Sequence, residues 1–191
     1  VKLNVPASEI PEDYRNLGGI QNNPCIASAI VPELDTIFVS TEQGLMAARF
    51  DAFTNLQDAQ SWSFFVKDSV LQGIDYLEYL DEFLYLGRNL NGQGSLYKYD
   101  STFILMATFP GQKIKEMNIQ NEQLALVVGS KIELWKNDQK VQTIQDQAFP
   151  SPQTFCLDPS GAQWIGSFER GLISNREGSY RNYSPEGRFS N

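Results

Sequence analysis

Asp75, Glu78, Asp81 and Glu82 place four carboxylates within eight residues, a grouping that can hold a cation or supply a general acid and a general base. Their spacing argues against both. The Asp-x-Asp-x-Asp-Gly pattern of a calcium loop is absent, and on an extended chain Asp75 and Glu78 fall on opposite faces. Asp81 and Glu82 separate two apolar runs and read as turn residues. A glycosidase needs two carboxylates at a defined separation, one with a raised pKa, and nothing in the sequence singles out such a pair. Gly92-Gln93-Gly94 and Gly129-Ser130-Lys131 resemble fragments of phosphate loops, but each lacks the further glycines and the following helix, so each reads as a hairpin turn. Trp62, Trp135 and Trp164 offer flat faces on which a sugar can stack, yet their place beside or within apolar runs makes packing the default. These groups give no catalytic, cofactor-binding or metal-ligating assignment.

Composition removes further chemistry. The 191 residues contain no histidine, which excludes Ser-His and Cys-His nucleophile pairs, an imidazole proton shuttle and histidine-based zinc sites. Lys and Arg number 15 against 23 Asp and Glu, a net charge of −8 without a basic cluster, which argues against nucleic acid as a partner. Cys25 and Cys156 are too few for a disulfide scaffold and have no metal-ligand spacing. No apolar run approaches the roughly 18 residues of a bilayer helix, and no signal-peptide pattern opens the sequence.

The elements that would position these residues are short strands. Four apolar runs align: Phe38-Val39-Ser40-Thr41, Tyr85-Leu86-Gly87-Arg88, Val127-Val128-Gly129-Ser130 and Trp164-Ile165-Gly166-Ser167, with first residues 47, 42 and 37 positions apart. Each run leads through a turn into a second strand, near Leu45, Leu96, Ile132 and Leu172. A third strand precedes each hairpin, near Ile26 to Ile30, Gly73 to Leu77, Ile114 to Ile119 and Thr154 to Leu157. A fourth follows, near Trp62 to Val66, Phe103 to Thr108, Val141 to Ile144 and Tyr180 to Tyr183. Four antiparallel strands in about 42 residues is the period of a propeller blade, and no 3.6-residue stripe supports a helical repeat. The expected fold is an all-β propeller segment of about four four-stranded antiparallel blades, at residues 23–68, 69–110, 111–149 and 150–191. Residues 1–22 read as the end of a preceding blade, with strands near Lys2 to Val5 and Asp13 to Leu17. This implies part of a larger propeller.

The fourth repeat carries the sharpest motif. Asp158 to Leu172 reads DPSGAQWIGSFERGL and resembles the two-component-regulator propeller repeat, with Asp158 and Gly161 in a tight turn, Trp164 as a wedge between blades, Gly166 at a close blade approach and Gly171 in the next turn. The first repeat, Ile37 to Leu45 leading into Asn55 to Trp62, together with Asp13-Tyr14 before Gly18 and the Tyr183-Ser184-Pro185 ending, resembles the propeller of PorZ-type surface proteins of the type IX (Por) secretion system of Bacteroidetes. That resemblance implies a non-catalytic interaction module of an exported cell-surface or outer-membrane-associated protein, acting in cargo processing and surface attachment beside other secretion or surface proteins, with a glycan or lipopolysaccharide as a further ligand class. The two-component repeat implies an alternative, a periplasmic ligand-sensing propeller of a hybrid two-component regulator. A propeller glycosidase or lyase ranks third.

Three expectations can be checked against coordinates. Uncovered faces of the first and last blades should include Phe38 and Trp164 or their neighbours, and so favour self-association. Cys156 should align with Ile30, three blades from Cys25, leaving both thiols unpaired. The Asn- and Gly-rich loop at 89–94 should be the adaptable surface.

Overall fold

The computed structural model describes residues 25–56, 58–66, 73–176 and 178–183. The strands expected near Lys2 to Val5 and Asp13 to Leu17, and the part of the resemblance after Tyr183, lie outside these residues. Within them sixteen strands form four four-stranded antiparallel sheets, each ordered as the chain runs. The first holds β1 (Ala27–Val31), β2 (Thr36–Thr41), β3 (Gly44–Arg49) and β4 (Trp62–Val66); the second holds β5 (Ile74–Leu80), β6 (Phe83–Leu90), β7 (Gln93–Asp100) and β8 (Thr102–Phe109). In the third are β9 (Ile114–Gln120), β10 (Gln123–Val128), β11 (Lys131–Lys136) and β12 (Gln139–Ile144), and in the fourth β13 (Pro152–Leu157), β14 (Gln163–Ser167), β15 (Gly171–Ser174) and β16 (Arg181–Tyr183). This is the meander repeat read from the sequence.

Local sequence explains the hairpins. Type I′ two-residue turns, whose twist matches that of paired strands, need positive φ at both residues, which Asn, Asp and Gly adopt most readily. They occur at Asp81-Glu82 (50° and 68°), Asn91-Gly92 (51° and 79°), Asn121-Glu122 (48° and 57°) and Asn137-Asp138 (49° and 63°). The fourth sheet uses a longer turn, in which Gly161 at φ 84° donates its N–H to the Asp158 carbonyl.

The sheets stack through their first strands, with β5 against β1 and β2, β9 against β5 and β6, and β13 against β9, β10 and β11. Alternation along each strand sends one set of apolar side chains forward and the other back, so each junction has its own core. Phe38, Leu45, Ile74 and Leu86 fill the first; Leu96, Ile114, Leu124 and Leu126 the second; Val127, Ile132, Phe155 and Ile165 the third.

The structure corrects four expectations. Phe38 belongs to the first junction, 4% exposed against Phe65 and the second sheet, so it is not on an uncovered face. Val39 and Met46 point the other way, beside Cys25 and Trp62. Trp164 does lie on the face of its sheet turned away from the third, where its ring meets Tyr183 at 5.4 Å, so among the described residues it wedges no pair of blades. Gly166 is required inside its own sheet: a Cβ there would come within 2.4 Å of Thr154 Cγ2 on the paired strand. Cys156 pairs with Trp164 as Ala29 pairs with Phe38, one residue from the expected alignment with Ile30; both thiols are free.

Candidate interaction surface

The first strand of each sheet leaves one edge of backbone donors and acceptors unpaired. In the third and fourth sheets, side chains from the preceding sheet reach these edges. Glu116, Asn118 and Gln120 alternate along β9 and therefore share a face. Glu116 Oε2 accepts from the Phe155 N–H at 2.6 Å, while its Oε1 accepts from Thr154 Oγ1 at 2.9 Å. Asn118 Nδ2 donates to the Phe155 carbonyl at 2.9 Å, and Gln120 Oε1 accepts from the Leu157 N–H at 3.1 Å. Lys115 Nζ adds a bond to the Pro152 carbonyl at 3.0 Å. One junction earlier, the Tyr76 hydroxyl donates to the Lys115 carbonyl at 2.7 Å, and burial raises its pKa, ahead of the nearby Asp75 and Glu116. Asn89 bonds both the N–H and the carbonyl of Ile114, each at 2.8 Å.

The 89–94 segment is therefore not an adaptable loop. β6 and β7 stay paired out to Leu90 and Gln93, leaving only Asn91 and Gly92 as the turn. Asp75, from the acidic group, accepts the Asn89 N–H at 2.8 Å. Asp81 and Glu82 form the β5–β6 turn, as their position between apolar runs indicated. No group of three or more His, Cys, Asp or Glu among the described residues could hold a metal ion.

Two buried charged groups escaped the sequence reading. Lys98, 7% exposed on β7, reaches across the second junction to Asp138 Oδ2 and stands 3.4 Å from the centre of the Phe83 ring. Tyr85 donates to the other oxygen of Asp138 at 3.1 Å, and burial followed by that carboxylate raises its pKa, which keeps the phenol protonated. Glu133 is 1% exposed on β11, with Lys131 at 2.6 Å, Lys140 at 3.3 Å and the Trp135 indole N–H at 3.3 Å. A buried ion of this type persists only when its partners satisfy it. The signal for Glu133 was a carboxylate flanked at two positions by apolar β residues, indistinguishable in sequence from a solvated one.

The tryptophans and the fourth-repeat motif also have structural partners. Trp62 Nε1 donates to the Leu56 carbonyl at 2.9 Å. Trp164 Nε1 donates to Asp158 Oδ2 at 3.2 Å, while Asp158 Oδ1 accepts from Ser160 and from the Ala162 N–H. Bonds from the Ser160 side chain and the Trp164 indole hold the Asp158 carboxyl down at about 2. The motif organises a turn and pins an indole.

Exposed apolar side chains occur on several turns, Phe168 of the fourth sheet at 87% among them, and they gather on the turns of the first sheet. Leu34 and Phe53 are 65% and 96% exposed, and Phe50 is tied to the β1–β2 turn by its N–H, which donates to the Asp35 carbonyl at 2.6 Å. Asp51 Oδ1 fixes the following loop by accepting the N–H groups of Phe53 and Thr54, both at 2.8 Å. Beside them an open depression of about 440 Å³ is lined by Leu34, Asp35, Ala47, Arg49, Ser61 and Ser63, among others. Rigid turns that present exposed rings beside a shallow polar depression suit contact with a macromolecular surface better than enclosure of a small substrate.

Four consecutive four-stranded meanders stacked through their first strands define a β-propeller segment. No protein-family model and no curated protein matches the sequence. Solved structures do match. Similar over 87% of this chain, with a TM-score of 0.62 and 15% identity, is PorZ, a bacterial surface component of the type IX secretion system of Porphyromonas gingivalis. The extracellular domain of a putative one-component system, BT4673 of B. thetaiotaomicron, matches 82% of the chain with a TM-score of 0.58 and 16% identity. YCF48, solved with a D1 peptide, matches 80% with a TM-score of 0.57 and 15% identity. The chain spans 22% of the length of each of the first two and 50% of the third. At these identities the likeness establishes the propeller fold. No helix among the described residues is long and apolar enough to cross a membrane.

Proposed function

We propose that this segment is a non-catalytic interaction module of an exported bacterial cell-surface protein, associated with type IX secretion and acting in cargo processing and surface attachment. The observation that carries the reading is the exposed group Leu34, Phe50 and Phe53 on rigid turns of a propeller whose fold matches PorZ. In support, Glu116, Glu133 and Asp158 are each committed to structural hydrogen bonds or ion pairs. Its partners are other secretion or surface proteins, with a glycan or lipopolysaccharide as a second ligand class, and the net charge of −8 argues against nucleic acid. Self-association through the face bearing Trp164 fits the same arrangement.

A second reading, a ligand-sensing propeller of a two-component-type regulator, is favoured by the match to the BT4673 extracellular domain. One experiment separates the two. In the source bacterium the wild-type gene is replaced by one carrying Phe53→Asp and Leu34→Asp, and both the surface proteome and the transcriptome are measured. Loss of cargo from the surface supports the first reading. Intact cargo with a lost transcriptional response to a glycan supports the second. Unchanged cargo and transcription overturn both.

A further inference from the structure

Among the described residues the outermost strand of each sheet has one edge that pairs with no other strand, and these edges are not alike. Proteins blunt such edges with charge, proline or a bulge, because an exposed row of backbone donors and acceptors recruits another strand. β12 carries Lys140 and β16 begins at Arg181. β8 has neither charge nor proline: from Ser101 to Gln112 no charged residue occurs, and no proline falls within the strand. A bulge between Leu105 and Ala107 interrupts its pairing with β7, but Thr102 to Leu105 remain in regular register opposite Asp100 to Tyr97. Within that regular stretch Ile104 and Leu105 are 48% and 52% exposed. They point to opposite faces, Leu105 with Tyr97 and Ile104 with Lys98, so apolar surface flanks the edge on both sides.

We propose that the Thr102 to Leu105 edge of β8 is a strand-addition site for a second copy of this chain. Two β8 strands related by a two-fold axis would pair antiparallel and join two four-stranded sheets into one of eight. The choice of a second copy rests on charge. Each chain carries −8, so association must occur where no like charges oppose one another. An uncharged strand meets that condition against itself, whereas β12 would set Lys140 near its own copy. Apolar Phe103, Ile104 and Leu105 would then face or flank the same residues, the arrangement that stabilises cross-strand pairs. This site is separate from the blade face bearing Trp164, and it does not depend on the functional reading above.

The test uses the full 191-residue chain in sedimentation velocity over a wide concentration range. Ile104→Lys places a lysine on the edge and lowers net repulsion by one charge. Val141→Lys makes the same charge change on β12, at a residue equally open to solvent, 55% exposed. The expected result is a reversible dimer for the wild type and for Val141→Lys, with the dimer dissociation constant raised at least about tenfold in Ile104→Lys. Circular dichroism confirms that both variants keep the sheet fold. A wild type that stays monomeric at every concentration overturns the proposal. So does a dimer that Ile104→Lys leaves unchanged, the result expected if copies join through blade faces instead.

Discussion

Glu116→Ala tests how the sheets are held together. Glu116 makes two hydrogen bonds across the third junction, but they are unequal. The bond to Thr154 Oγ1 joins exposed groups, so water replaces it at little cost. The 2.6 Å bond to the Phe155 N–H serves a residue 1% exposed, whose donor would lose its acceptor. A hydrogen bond to a charged group contributes about 1.5–3 kcal/mol, and an unsatisfied buried donor costs about 1–3 kcal/mol, two views of one loss rather than a sum. Discounting for the half-exposed carboxylate gives a destabilisation of about 1.5–2 kcal/mol. For a chain of this size that lowers the melting temperature by about 3–8 °C. Glu116→Gln keeps an amide oxygen as a neutral acceptor and should lose less than half as much. Urea denaturation followed by circular dichroism measures both variants. A loss below about 0.5 kcal/mol for Glu116→Ala, or equal losses for the two, would refute the view that side chains from one sheet satisfy the backbone edge of the next.

Gly166→Ala should destabilise by about 1–3 kcal/mol, because β-branched Thr154 is stiff at χ1 and its Cγ2 occupies the space a Cβ needs; Thr154→Ser, which removes that methyl and keeps the hydroxyl, should recover most of the loss in thermal melts. Asp158, held at about 2, contributes stability that is present above its unfolded value near 3.9 and disappears as pH falls through its folded value. The stability gap between wild type and Asp158→Ala should therefore stay constant above about pH 5 and close between about pH 4 and 2, and a gap that widens on acidification would contradict the assignment. A thiol reagent should count two thiols in the denatured, unreduced chain; in the folded chain exposed Cys156 should react before half-buried Cys25, and a count of zero would contradict two free cysteines.

The repeat was legible because blades are specified by features that survive in one sequence. A strand reveals itself as an apolar run, and turns such as Asn91-Gly92 and Asn137-Asp138 advertise the positive φ they adopt. Facing was harder, since it depends on register within a hairpin. Placing Phe38 and Trp164 in one aligned column was correct, as each pairs with the equivalent residue of its first strand, Ala29 and Cys156. What the column meant differed by sheet: it points forward along the stack, so in the first sheet it is covered by the second and in the fourth by no described strand. The loop at 89–94 was misread for a related reason. Asn and Gly suit both flexible loops and tight turns, and only the bonds of Asn89 to Ile114, 25 residues away, decide between them.

The interaction surface was illegible for a different physical reason. Glu116, Asn118 and Gln120 look like a solvated polar face, because the backbone they serve belongs to β13, and a single sequence carries no sign of which strand will lie beside which. Exposure inverts the same logic: Phe53 and Ile104 look like core residues and stand in solvent. In a propeller both errors have one source. Polar side chains are drawn inward to complete strand edges at each junction, and apolar ones are left on turns and outer strands, where no neighbouring sheet covers them. Residue type therefore reports the strand pattern faithfully and the surface poorly. A propeller that binds through its turns and edges keeps its function in the positions where hydrophobicity and exposure disagree, and those positions become visible only once the stacking of the sheets is known.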